Sequence, residues 1–244
     1  KLMVAAHMDE VGFMVSQIND NGTFKVTPIG GWNVYAVSAQ RFTLQTKQGN
    51  YPCVSSAVAP HLLRGSKAQS LKPADILFDA GFTSKEEAMS YGVRPGDSLV
   101  PDVETIRTAN KESIISKAWD NRYGSAVILD TLEKIQGKSL ASDLIMGASV
   151  QEEVGLRGAK TAAHMINPDI AITLDVTIAT DTPGADANMK MGVGVTLEVM
   201  DASYIGHKGL LYHLQDLAKD LGIDSQFEIL AAGGTDSGEI QKVH

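Results

Sequence analysis

The chain has 244 residues, 43% of them apolar, with 21 basic against 29 acidic side chains and a formal net charge of -8. That is enough apolar mass for one large domain or two smaller ones, and an acidic chain whose basic residues do not cluster argues against a nucleic-acid partner. No apolar run approaches the ~20 residues that cross a bilayer, and the single cysteine, Cys53, excludes an internal disulfide and a thiolate metal cage.

The segment Leu2 to Ala6 is a continuous apolar run, which predicts a strand covered on both faces, and it runs straight into His7-Met8-Asp9-Glu10. From Val11 to about Thr105 the texture changes. Short segments at Gly12–Ile18, Thr23–Pro28 and Arg41–Thr46 are separated by turn signals such as Asn19-Asp20-Asn21-Gly22 and Lys47-Gln48-Gly49-Asn50, which predicts an all-β unit. One short helix is expected inside it, capped by Ser84 with Glu87 in the capping-box position and ended by Gly92.

Beyond Ser116 the pattern is that of alternating helices and strands. Val127, Leu129, Leu132 and Ile135 mark an amphipathic helix over Asn121–Gln136, stopped by Gly137. Asp143–Val150 predicts a strand, Gly158–Met165 a helix, Ile170–Leu174 a strand, Gly192–Met200 a strand and Leu210–Leu221 a helix. The expected fold is α/β, a mixed sheet with flanking helices and a parallel core, formed by residues 1–11 and 108–244. Residues 12–107 are expected to form a β-barrel-like insertion. The chain opens on a strand already under way and stops before its last element closes, so it reads as a fragment of a longer protein lacking both termini.

Three predicted strands end in chemistry. His7 and Asp9 follow the strand ending at Ala6, Glu152 and Glu153 follow Val150, and Asp175 follows Leu174, while Asp120 stands just before a predicted helix. In an open α/β sheet, ligands gather outside the carboxyl ends of the strands, so groups far apart in sequence converge there. Each residue has a plainer explanation: Asp120 as a helix N-cap, Asp175 as the start of an Asx-turn, His7 as an ordinary strand-end histidine. Taken together they point to a metal site. Two divalent ions would be balanced by Asp120, Glu153 and Asp175 with a bridging hydroxide. Adjacent residues in extended backbone point to opposite sides, which leaves Glu152 free of the metals as general base. Asp9, two residues after His7, is placed to accept the imidazole N–H.

These blocks resemble a known family. Ala6-His7-Met8-Asp9-Glu10-Val11-Gly12, Trp119-Asp120-Asn121-Arg122, Gln151-Glu152-Glu153-Val154-Gly155-Leu156-Arg157-Gly158-Ala159, Leu174-Asp175-Val176 and Gly233-Gly234-Thr235-Asp236 occur in the order found in glutamyl and TET aminopeptidases. The resemblance implies a zinc-exopeptidase-like catalytic domain, metal ligands at His7, Asp120, Glu153 and Asp175, with Asp120 bridging two ions, an acid/base at Glu152 and an orienting role for Asp9. It implies zinc or cobalt, with manganese accommodated by the same oxygen and nitrogen donors. It further implies a cytoplasmic enzyme that removes N-terminal residues, Glu or Asp among them, from peptides with a free N-terminus. The inserted unit is similar to the family's dimerisation domain, and the expected assembly is a tetrahedral dodecamer, with no nucleic acid and no membrane among its partners. The family's fifth ligand is a histidine beyond the Gly-Gly-Thr-Asp block; His207 and His213 precede that block and His244 follows it too closely. Other readings are a metal-dependent deacylase of N-acyl amino acids and a non-catalytic homologue. A carboxylate-pair glycosidase leaves His7 and Asp9 unexplained. For an acidic preference, Arg122, Lys160 and Lys208 are the nominal cations.

Overall fold

A computed structural model describes residues 1–57, 72, 76–182 and 188–243, so His244 lies outside the described residues. The chain forms two compact units, Lys1–Asp9 with Trp119–His244, and Glu10–Ala118. The division therefore falls somewhat before residue 12 and well after residue 107.

In the first unit, β1 (Leu2–His7) is the central strand of a parallel sheet, flanked by β10 (Leu144–Ser149) and β11 (Ile170–Thr173). Its burial follows from its place, since helices cover both of its faces. On one face Met3 and Ala5 pack with Ala159 and Ala163 of α4 (Arg157–Ile166) and Ile240 of α6 (Ser237–Ile240). Ala6 points to the opposite face, where α3 (Trp119–Ile135) approaches so closely that a Cβ on Gly124 would lie 2.9 Å from the Ala6 Cβ. A second parallel pair joins β12 (Val195–Met200) to β13 (Ser225–Ile229), with α5 (Lys208–Asp220) packed on β12. His207 is the N-cap of α5, its Nδ1 accepting the Leu210 N–H at 3.2 Å.

The second unit is a closed antiparallel barrel in the order β2 (Gly12–Ile18), β3 (Phe24–Ile29), β6 (Leu77–Asp79), β5 (Gly49–Ser56), β4 (Arg41–Thr46) and β7 (Ser98–Pro101). Alternation along the strands sends Phe13, Val15, Phe24, Val26, Phe42 and Leu44 inward. A register shift between Val15 and Gln17 turns Ile18 back to the same interior. Phe13 stacks on Trp32 at 4.7 Å, and Phe42 meets Phe78 edge-on at 4.9 Å. Each fully buried phenylalanine contributes roughly 1.5–3 kcal/mol by leaving water. The short helices are α1 (Val34–Val37) and α2 (Lys85–Ser90), and β8 (Ile106–Arg107) pairs with β9 (Ile114–Ile115). Ser84 caps α2 as expected, its Oγ accepting the Glu87 N–H at 3.1 Å. The reciprocal half of the capping box is displaced by one residue, because the Glu87 carboxylate accepts from the N–H and hydroxyl of Thr83, both at 2.7 Å.

Candidate metal centre

The register of the central sheet assembles the site. His7 ends β1 opposite Ser149 of β10, and the Met8 N–H donates to the Ser149 carbonyl at 3.0 Å, so the two strands leave the sheet side by side. After Ser149 the chain turns sharply. Gln151 has φ 61° and Leu156 φ 56°, left-handed values for two residues with side chains, each costing of order 1–3 kcal/mol. The turn is closed by Gly155 and Leu156 N–H groups donating to the Glu152 carbonyl, and by Gly158 N–H donating to Val150. A Cβ at Gly158 would stand 2.3 Å from the Val150 carbonyl oxygen, so only glycine lets α4 start against this turn.

Asp9 takes a wider role than the one expected from its spacing. Its Oδ1 accepts the Glu152 N–H at 3.2 Å and its Oδ2 the Glu153 N–H at 3.3 Å. The His7 Nδ1 lies 3.3 Å from the Asp9 carbonyl oxygen and 3.5 Å from Asp9 Oδ1. One residue thus fixes the imidazole and the two consecutive glutamates. With Nδ1 turned to the carbonyl, it is Nε2 that faces the site.

Around that Nε2 stand Asp120 Oδ1 at 2.8 Å, Glu152 Oε2 at 3.7 Å and Asp175 Oδ1 at 3.7 Å. Two sets of donors lie within 4.8 Å of one another: His7 with Glu152 and Asp175, and His7 with Asp120 and Glu153. The structure therefore brings together His7, Asp9, Asp120, Glu152, Glu153 and Asp175. The His7 and Glu152 side chains are 1% and 8% exposed, whereas that of Asp120 is 57% exposed.

Capping does not explain Asp120. Residues 120 and 121 are non-helical within α3, and the peptide bond joining them is cis. The cap is Asn121, whose Oδ1 accepts the Gly124 N–H at 3.0 Å while its Nδ2 donates to the Leu174 carbonyl at 2.6 Å. Fully buried, Asn121 ties the start of α3 to the residue before Asp175, a function that the sequence reading missed. It also missed Ser149 and Asp236, both buried, which share a 2.5 Å hydrogen bond beneath the turn. The signal for Asp236 was present, in the Gly-Gly-Thr-Asp block.

The donor set carries an excess of negative charge that protons relieve in part. Burial works against a charged His7 ring, but hydrogen bonds to Asp120 and Asp175 and the charges of Asp175 and Glu152 prevail, pushing it up to about 11. Burial raises Glu152 to about 8, opposed by His7 and aided by Asp175, Asp236 and Glu153. Glu153 is raised to about 7, first by burial and then by Asp120. Carboxylates crowded until they hold protons near neutral pH, round an imidazole with its Nε2 inward, make a set that divalent cations fit.

Similarity to known proteins extends over the whole length of the chain. The family model for M42 glutamyl aminopeptidases matches residues 1–244. A glutamyl aminopeptidase of Lactococcus lactis subsp. cremoris is 49% identical over 241 residues, covering 98% of this chain and 67% of the relative. The crystal structure of a TET aminopeptidase from a marine sediment archaeon of the Thaumarchaeota superposes with a TM-score of 0.95 at 36% identity, covering 99% of this chain and 69% of that one. The TET1 peptidase of Pyrococcus horikoshii, described as assembling into a tetrahedron or a large octahedral shell, gives a TM-score of 0.87 at 27% identity, covering 99% and 72%.

Proposed function

We propose a mechanism from one premise: the chain belongs to the M42 glutamyl aminopeptidase family and is a metal-dependent aminopeptidase. In it, His7, Asp120, Glu153 and Asp175 would hold two divalent ions, zinc, cobalt or manganese. The observation that carries this reading is the convergence of donor atoms from three separate chain segments on the Nε2 of His7. When bound, such ions supply Lewis acidity for the scissile carbonyl and lower the pKa of water.

The protein's own groups do the rest. Glu152, nearly buried and held by its N–H on Asp9, accepts a proton at Oε from the attacking water. The water oxygen bonds to the carbonyl carbon, the C–N bond breaks, and the same carboxyl returns the proton to the departing nitrogen. Asp9 keeps Glu152 and Glu153 in register with His7, so base and ligands move as one body. The surplus of carboxylates also suits the ammonium of a free peptide N-terminus.

An acidic N-terminal residue is the preferred substrate in this reading, on the strength of the glutamyl aminopeptidase relative. Of the cations considered, Arg122 donates to the Met8 carbonyl at 3.4 Å, next to His7. Arg122 is the proposed partner of a substrate carboxylate. The barrel unit is proposed to make the dimer contact of a homo-oligomer, a tetrahedral dodecamer, working in the cytoplasm. No helix of the described residues is long and apolar enough to cross a membrane.

The test combines substrates with metal. Glutamyl, leucyl and lysyl p-nitroanilides should be cleaved, the first fastest, chelation should abolish cleavage and zinc or cobalt restore it, while N-acyl amino acids stay intact. E152Q should lose about 10²–10⁴-fold in turnover yet keep its metal content, because it removes a proton acceptor and no ligand. A variant that loses metal, or that turns over normally, would refute the division of labour between Glu152 and Glu153.

A further inference from the structure

Asp236 is 2% exposed and belongs to none of the donor sets around His7. Its Oδ2 accepts the Ser149 hydroxyl at 2.5 Å, while its Oδ1 is buried with no hydrogen-bond partner among the described residues. Burying a carboxylate with one oxygen unpaired costs on the order of several kcal/mol, and a neutral residue would hold Ser149 more cheaply. A role in packing alone does not account for it.

Its position at the ends of the strands does. Ser149 is the last residue of β10, in register with His7, and the turn that presents Glu152 and Glu153 begins directly after it. The next residue along, Ser237, shares a 2.6 Å hydrogen bond with the hydroxyl of Thr173, the last residue of β11 and two before Asp175. The segment Asp236-Ser237 thus pins the ends of both strands that flank β1, at the level where all three deliver site residues. Its carboxylate is also close enough for its charge to act on His7 and Glu152.

We infer that Asp236 is a positioning residue for peptide hydrolysis, holding through Ser149 the turn that aims Glu152 at the reacting water. This rests on the reading of Glu152 as the base. Asp236 does not touch substrate, so its effect belongs on kcat.

The test uses the full chain loaded with zinc and a glutamyl p-nitroanilide. D236N keeps the shape and an acceptor for Ser149. Its kcat should fall about 10–100-fold, the scale on which small misplacements act, with KM changed less than about threefold. Residues acting as a unit are not additive, so D236N should slow E152Q no further. S149A should lower kcat in the same sense, and adding D236N to it should cost no more than the larger single loss. A D236N protein with kcat within about twofold of the parent overturns the inference, as does one that slows E152Q by the same factor as the parent. If D236N does not fold, S149A carries both comparisons. Near-normal turnover in E152Q would sink the reading of the base itself, whereas a slow E152Q beside an undiminished D236N sinks only the role given to Asp236.

Discussion

At the scale of single residues, the site depends on close approaches as much as on charges. Gly124 is the sharpest case, because α3 must lie low enough over β1 for Asn121 to reach the Leu174 carbonyl. A Cβ there would meet Asn121 Oδ1 at 2.6 Å, Ala6 Cβ at 2.9 Å and the Leu174 carbonyl oxygen at 2.9 Å. Alanine in a helix normally gains roughly 0.5–1 kcal/mol over glycine. One obstructing atom sits on the central strand and another is the backbone carbonyl just past β11, and overpacking costs about 1–3 kcal/mol, so the clash prevails. G124A is expected to be destabilised by up to about 2.5 kcal/mol in urea titration, from the difference of those two terms. A stabilised G124A would show that α3 can lift without cost.

At the scale of elements, β12 and β13 carry a second group of acids. Glu198 is raised to about 7 by burial, then by Asp201, Glu228 and Asp175, with Tyr204 opposing. Asp201 and Glu228 are themselves buried; Glu228 accepts the Thr177 hydroxyl at 2.6 Å, and Asp201 Oδ1 caps the N–H groups of Ser203 and Tyr204. The sign follows from linkage. A carboxyl whose folded pKa lies above its ordinary 4.5 contributes stability that is whole below that pH and is lost as pH rises through about 7. In metal-free protein, E198Q should therefore gain on the parent as pH climbs from about 4.5 to 7. Denaturation midpoints of the two proteins that stay parallel across that window would contradict the burial of this charge.

At the scale of the whole molecule, the two units have separate cores, one built of small residues against a parallel sheet and the other of phenylalanines inside a barrel. Replacing Glu10–Ala118 by a short Gly/Ser linker should leave the first unit folded, since Arg122 already contacts Met8 beside the junction. The oligomer should fall to a smaller species if the barrel makes the proposed dimer contact; an unchanged mass by light scattering would assign assembly to the other unit. The sequence by itself determined a good deal. Apolar runs ending in His7, Glu152-Glu153 and Asp175 located the strands, because an apolar run paired into a sheet leaves its polar residues at its end. Turn residues at short spacing likewise announced the barrel. Only the tertiary structure decided that Asn121 rather than Asp120 caps α3, that the Asp9 carboxylate serves two backbone N–H groups, and that Asp236 reaches Ser149. Such contacts pair one side chain with a partner up to 144 residues away, and no local periodicity encodes them. They exist because the parallel register brings the ends of β10, β1 and β11 together, and that register is a property of the packed sheet.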